Sequence, residues 1–149
     1  MGRIEIGLDG LLPVPPVSFN VPAGASTSTP QEVLFIVSDG VDDASSSICS
    51  QPLSHGPPIN RCMQPFDTTM CTTIQNRGIL IAVLYTVYLP LTTNTFYNQW
   101  IAPFQSQIST NMQNCASPGL FFSVTTDGDI TAAMQSMFTQ AVATARLTQ

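Results

Sequence analysis

The stretch Val33-Leu-Phe-Ile-Val-Ser-Asp-Gly40 decides the fold class of this chain. Five apolar, strand-prone residues end in a small polar pair and a glycine, and so short an apolar run predicts a strand buried on both faces. Ligands of open α/β sheets collect outside the carboxyl ends of the strands, so Ser38, Asp39 and Gly40 form a candidate binding site. The glycine permits a sharp turn that would direct the Asp39 carboxylate into a crevice.

Two further apolar runs, at residues 79–86 and 120–125, predict strands. Segments with helical periodicity lie between the strands and after the last one. We expect helices over 68–77, 103–114 and 130–145. Strands that alternate with helices predict an α/β fold, with a parallel sheet of three or four strands, right-handed crossovers and helices on both faces. This arrangement is Rossmann-like.

The predicted helices carry their own start, stop and packing signals. Asp67 is a good N-cap for the first helix and Gly78 a good stop, and Pro103 suits the first turn of the second helix. The apolar residues expected to face inward are Met70, Cys71 and Ile74 in the first helix, Phe104, Ile108 and Met112 in the second, and Ile130, Ala133, Met134, Met137, Phe138, Ala141 and Val142 in the third.

The chain divides into residues 1–31 and residues 32–149. Residues 3–12 predict a short helix with one apolar face, made of Ile4, Leu8, Leu11 and Leu12. Residues 13–31 hold five prolines among Ala, Gly, Ser and Thr, which indicates an extended connector. Residues 41–66 show no periodicity and predict a long loop.

Composition excludes several classes of partner. The 149 residues include 4 Lys+Arg against 9 Asp+Glu, for a net charge of −5. With no basic run, neither nucleic acid nor an anionic membrane surface is an expected partner. The longest apolar run, 79–85, is far shorter than the ~20 residues of a membrane-spanning helix. No signal peptide is visible at the N-terminus.

Four cysteines, Cys49, Cys62, Cys71 and Cys115, are an even number without CxxC spacing. Two disulfides in an oxidising compartment fit this pattern better than a zinc site, and four buried thiols remain the alternative. A bridge from Cys49 to Cys62 would close a short loop, whereas one from Cys71 to Cys115 would join two helices. The sequence leaves all three pairings open.

Several segments of residues 32–149 resemble the latter half of a von Willebrand factor type A domain. The branch they look like is that of bacterial tight-adherence (Flp) pilus-assembly proteins, which carry a TadE-like membrane segment near their N-terminus. The segments are Leu34-Phe-Ile-Val-Ser-Asp-Gly-Val-Asp-Asp43, Asn76-Arg-Gly-Ile-Leu-Ile-Ala-Val-Leu-Tyr-Thr86, Trp100-Ile-Ala-Pro-Phe-Gln-Ser-Gln107 and Asn114-Cys-Ala-Ser-Pro-Gly-Leu-Phe-Phe122. Residues 4–12 also look like the helix that precedes the first of these strands.

The resemblance implies a metal-ion-dependent adhesion site. In the family, one strand ends in Asp-x-Ser-x-Ser, a Thr lies in a later loop, and a final Asp follows the strand that matches residues 33–37. Asp39 matches this final Asp, which mostly holds the waters or hydroxyl ligands of Mg²⁺. The chain has no Asp-x-Ser-x-Ser, and Met1-Gly2-Arg3 stands where the motif Thr would be. We therefore expect an incomplete metal site and no cofactor in this chain.

Asp39 has an alternative interpretation as a turn aspartate that accepts a hydrogen bond from its own backbone. Asp42 and Asp43 lie near it and would be able to add acceptor oxygens, but solvated loop acids are the favoured interpretation. Asp127 and Asp129 resemble part of a calcium loop. Helix N-capping explains them better, because an EF-hand needs further ligands at fixed spacing.

His55 is the only histidine, and no nucleophile elbow accompanies it, so catalysis through His55 is not expected. An aromatic segment follows the second strand and is expected to pack in the core, with a protein interface as the alternative. Its members are Phe96, Tyr97, Trp100 and Phe104.

The leading hypothesis is a non-enzymatic protein-interaction or adhesion module, a fragment of a Flp pilus-assembly protein that contacts pilus or envelope components. This implies a bacterial surface, periplasmic or cell-envelope location as part of a longer exported protein. A sheet that lacks its first strand exposes an edge, which predicts self-association. The alternatives are a small α/β hydrolase-like enzyme that uses Asp39 and His55, and a ligand-free structural disulfide module.

Overall fold

The computed structural model describes residues 31–45 and 61–147, which form a three-stranded parallel sheet, a two-stranded hairpin and helices on both faces of the sheet. The predicted helix over 3–12 and almost all of the connector over 13–31 lie outside the described residues. The mixed α/β class and the parallel sheet flanked by helices confirm the fold class predicted from the sequence.

The parallel sheet has the order β1-β4-β5, with β1 at Val33–Ser38, β4 at Leu80–Thr86 and β5 at Phe121–Val124. The most apolar strand, β4, is central because its side chains are buried on both faces. Ile81, Val83 and Tyr85 join one core cluster, whereas Ala82 and Leu84 join the other. The three strands predicted from the sequence are confirmed.

The expectation that β1 is buried on both faces is wrong. Within the described residues β1 pairs only with β4, and its side chains are partly buried rather than buried. Val37 is 48% exposed. A short apolar run is equally compatible with an edge strand whose faces are only partly covered, and the run alone does not reveal its neighbours.

The long loop predicted over 41–66 is wrong at both of its ends, which form an antiparallel hairpin. β2 spans Val41–Ser45 and pairs with β3 at Arg61–Pro65. The Phe66 amide donates to the Gly40 carbonyl (2.9 Å), which joins the hairpin to the end of β1. The acidic β2 has poor intrinsic strand propensity, so tertiary pairing overrides the local signal.

One face of the sheet carries two helices, α1 at Thr69–Gln75 and α2 at Gln105–Cys115. The Cys71–Cys115 disulfide joins them, as one of the considered pairings expected. Cys62 is also disulfide-bonded, and Cys49 lies outside the described residues. The expectation that Met70 faces inward is wrong, because α1 is too short to bury a wide stripe and Met70 is 63% exposed.

Two non-α turns that were not predicted from the sequence precede α2, one wider and one tighter than an α-helix. A π-helical turn at Tyr97–Ile101 leads into a 3₁₀ turn at Ala102–Phe104, and the α-helix begins only after it. Pro103 has no N–H to donate to a carbonyl of the preceding turn, so the regular α-helical hydrogen-bond pattern is interrupted at this position. The inward residues Phe104, Ile108 and Met112 are buried, as predicted.

The opposite face carries α3 at Ile130–Leu147. Asp129 Oδ1 accepts a hydrogen bond from the Ala132 amide (3.0 Å), so the predicted N-cap is confirmed. Only part of the predicted apolar stripe is covered, since Met137 and Ala141 are buried while Met134 and Phe138 are about half exposed. No helix among the described residues is long and apolar enough to cross a membrane.

Candidate functional site at the carboxyl edge of the sheet

The candidate site lies where the three parallel strands end. The strand register aligns Ser38 of β1 with Tyr85 of β4, and Thr86 of β4 with Val124 of β5. The turn after β1 and the loop after β4 therefore leave the sheet side by side. Parallel strand order dictates this convergence, which is why open α/β sheets bind ligands at this edge.

Asp39 follows β1 directly, as the sequence predicted. Its side chain is exposed. Its Oδ1 atom accepts a hydrogen bond from the Val41 amide (3.0 Å), which is what a turn aspartate does. Ser38 Oγ accepts a hydrogen bond from the Gly40 amide (3.0 Å). Both side chains therefore support the turn, and Oδ2 of Asp39 accepts no hydrogen bond from the described residues.

Gly40 lets this turn pack closely against α2. Its φ of +77° lies in the left-handed region, and a Cβ atom at this position would lie 2.7 Å from Ile108 Cγ2 and 2.8 Å from Met112 Cγ. Both contacted side chains are buried in α2. Because only a glycine fits such a close approach at this φ, the turn presents Asp39 from a rigid base.

Tyr88 lies at the same edge and was not among the site residues predicted from the sequence. Burial raises the pKa of the Tyr88 phenol above its usual 10.0, and the negative charge of Asp39 and the neighbouring Tyr97 raise it further. The Tyr88 ring stacks on Tyr97 at a centroid distance of 6.2 Å. The Tyr85 hydroxyl accepts a hydrogen bond from the Tyr88 amide (3.1 Å), which fixes the first turn of the loop.

A signal for Tyr88 was present in the sequence. Tyr88 stands two residues after β4, as Gly40 stands two residues after β1, and parallel neighbouring strands end at one edge of the sheet.

The aromatic residues of the segment after β4 differ in burial. Tyr97 and Phe104 are buried and Trp100 packs against the core, as predicted, whereas Phe96 is exposed.

Asp42 and Asp43 are not loop acids, which corrects the sequence interpretation. Both lie in β2, and Asp42 Oδ2 accepts a hydrogen bond from Gln64 Nε2 of β3 (2.7 Å). Gln64 is buried and cannot bond to water, so this hydrogen bond satisfies a side-chain amide that would otherwise be left without a partner for this N–H. Asp42 therefore acts within the hairpin, while the Asp43 side chain is exposed.

The described residues around Asp39 do not by themselves make up a magnesium site. Mg²⁺ needs an octahedral set of oxygens from carboxylates, hydroxyls or waters. Among residues 31–45 and 61–147 no three Asp, Glu, His or Cys side chains lie together in a way that would hold a metal. The nearest hydroxyl along the chain, Ser38 Oγ, accepts a hydrogen bond within the turn.

A second feature of this edge is a shallow cleft between the ends of β4 and β5. Its volume is about 110 Å³, well below the ~300–1,000 Å³ of typical small-molecule pockets. The lining carries hydroxyl and apolar groups but no ionisable side chain, and it consists of Thr86, Val87, Val124, Thr125, Thr126, Gly128 and Ile130. The cleft offers no group for acid–base chemistry.

His55, the only histidine of the chain, lies outside the described residues. Among the described residues, the groups that the structure places at the Asp39 edge are a turn carboxylate, a turn hydroxyl and a stacked tyrosine pair. Comparison of the chain with family models, with curated proteins and with solved structures finds no match.

Proposed function

We propose that this chain is a non-enzymatic protein-interaction module that binds through the Asp39 edge of the sheet. It would be the C-terminal half of a von Willebrand factor type A domain, from a tight-adherence (Flp) pilus-assembly protein. The support for this proposal is the resemblance of its strand ends, together with a parallel sheet that has helices on both faces and an aspartate directly after β1.

The observation that carries the proposal is the state of the Asp39 carboxylate. One oxygen is held by the Val41 amide, whereas the other accepts no hydrogen bond from the described residues. A carboxylate so oriented on an exposed turn is ready to accept hydrogen bonds from a partner. Because the turn is rigid, little conformational entropy is lost when a partner binds.

Binding in this proposal does not depend on a metal ion. The intact family site uses a divalent cation to capture an acidic group, but the described residues do not supply its ligands. Asp39 would instead accept hydrogen bonds directly from a basic or amide group of the partner. Tyr88, in the loop that leaves the same edge of the sheet, would add apolar contact area.

The expected partners are pilus or envelope proteins, and the expected location is the periplasm or the cell envelope. Self-association is proposed as well, since β1 pairs with only one strand of the described sheet and so has a free edge. The hydrolase alternative needs His55 beside Asp39, and no observation favours that pair. The ligand-free structural alternative is favoured by the turn role of Asp39 Oδ1.

The experiment is a surface-binding measurement with purified Flp-type pilin and pilus-assembly components. We expect Asp39→Asn to weaken binding by about tenfold, which corresponds to a loss of ~1.4 kcal/mol for one charge-assisted hydrogen bond. The matched control is Asp127→Asn, which removes an equal charge from an exposed residue near the end of β5.

Addition of EDTA should leave the affinity unchanged. Equal affinities of the wild type and Asp39→Asn would remove Asp39 from the interface, and loss of binding in EDTA would show that a metal is required. A complete lack of binding to every pilus component would favour the structural alternative.

A further inference from the structure

Within residues 31–45 and 61–147, α3 covers its face of the sheet mainly over β4 and β5 and reaches only the margin of β1. α3 packs against these two strands, and a helix of ~10 Å diameter covers about two strands that are ~4.8 Å apart. Val33 and Phe35 of β1 contact the same core cluster from its margin. Side chains alternate along a strand, so Val37 lies on this face too, where it is 48% exposed.

α3 forms one wall of the resulting apolar groove. The Phe138 ring stacks on Phe35 at a centroid distance of 5.8 Å, yet Phe138 is still 52% exposed. One helical turn earlier, Met134 is 45% exposed. Four helical residues rise ~6 Å and two strand residues ~6.6 Å, so Met134 lies level with Val37. We call the set Val33, Phe35, Val37, Met134 and Phe138 the β1 groove.

We propose that residues 3–12 of this chain fold as a helix into the β1 groove, beside α3. This segment has one apolar face, made of Ile4, Leu8, Leu11 and Leu12. A ten-residue helix is marginal alone in water and needs an apolar surface to persist. Its length would be ~15 Å, which matches the ~20 Å length of the six-residue strand β1 beneath it.

The chain connection permits this placement. Gln31 Nε2 donates to the Gly78 carbonyl (2.7 Å), which fixes the start of β1 at the amino edge of the sheet, next to the groove. Residues 13–31 would span up to ~60 Å when extended, so either end of the groove lies within reach. Because the segment is tethered to β1 itself, it competes at high effective concentration with any free occupant.

Methyl NMR on the full chain tests the proposal. We expect nuclear Overhauser contacts between the Met134 methyl group and the methyl groups of Leu8, Leu11 or Leu12. A Leu8→Asp variant should lose these contacts, shift the Met134 signal, and lower Tm by about 3–6 °C. The matched control is Ile6→Asp, because residue 6 lies on the opposite side of the predicted helix. It should leave the Met134 signal unchanged and Tm within about 1 °C.

A reciprocal variant keeps the test decisive if Leu8→Asp disturbs folding more widely. Met134→Gln alters a half-exposed side chain, and it should shift the Leu8 and Leu12 methyl signals while the signals of α2 stay in place. A Met134 signal that is identical in the wild type and Leu8→Asp would overturn the proposal. Contacts seen only between differently labelled molecules would also overturn it and assign the groove to a second copy.

Discussion

At the scale of single residues, Gly40 does the most to position the candidate site. Its φ of +77° and the 2.7 Å approach to Ile108 leave no room for a side chain. Gly119 provides a comparison, because its φ is +76° but nothing lies within 4 Å of its missing Cβ. A substitution at Gly119 therefore tests backbone strain alone, whereas the same substitution at Gly40 adds a steric clash.

Gly40→Ala should lower the free energy of unfolding by about 2–4 kcal/mol, the sum of left-handed strain and overpacking against α2. Gly119→Ala should cost only about 1 kcal/mol, for strain alone. Urea denaturation of both variants measures the difference. Equal losses would mean that the turn after β1 is not fixed against α2.

Tyr88 gives the site a pH signature. Burial raises its pKa, and the nearby charge of Asp39 adds to this effect. The folded protein therefore keeps the phenolic proton at a pH where the unfolded chain loses it. As the pH rises above 10.0, the unfolded state releases this proton first, so Tyr88 makes the free energy of unfolding fall through the folded-state pKa.

Asp39→Asn should lower the pKa of Tyr88 but leave it above the usual value, since burial is the larger cause. The Cζ chemical shift of Tyr88 in tyrosine-labelled protein, followed over pH, reports this pKa. A Tyr88 titration that is the same in wild type and Asp39→Asn would show that the two side chains do not interact. It would contradict the proposal that both belong to one site.

At the scale of elements, the Cys71–Cys115 disulfide holds α1 and α2 together over a separation of 44 residues. Because α1 has only seven residues, it depends on this bond and on packing to stay in place. The Cys71→Ala/Cys115→Ala variant should lower the free energy of unfolding by about 3–4 kcal/mol, mainly through the entropy of the unfolded chain.

Urea denaturation under non-reducing conditions measures this loss, since it leaves the bond of Cys62 intact. The control is Met70→Ala, a truncation of an exposed side chain in the same helix that should change stability by no more than about 0.5 kcal/mol. A loss below about 1 kcal/mol in the double alanine variant would show that the disulfide does not hold α1 in place.

Elements were predictable where a local pattern decides the structure. The three parallel strands, the α2 core residues Ile108 and Met112 and the Asp129 cap follow from apolar runs, helical spacing and cap chemistry. The hairpin of β2 and β3 was missed, because its acidic strand forms only by pairing with residues about twenty positions away. The edge position of β1 depends on strand order, which no local pattern contains.

At the scale of the whole molecule, residues 31–45 and 61–147 form an α/β unit with the exposed carboxylate of Asp39 at the carboxyl edge of its sheet. The site was predictable in part, since Asp39 stands where the first strand ends. Its neighbours were not, because parallel strand pairing brings the loop of Tyr88 to the same edge, and Asp42 accepts a hydrogen bond from Gln64 in the hairpin. Side-chain partners across strands are fixed by tertiary structure alone.

The central claim is that Asp39 acts at the edge of the sheet without tightly held metal. Isothermal titration calorimetry of the full chain with Mg²⁺ and with Mn²⁺ tests it most directly. We predict no saturable binding in the low micromolar range, because the described residues supply too few oxygen ligands. A low-micromolar Kd that is abolished by Asp39→Ala, but not by Asp127→Ala, would contradict this account.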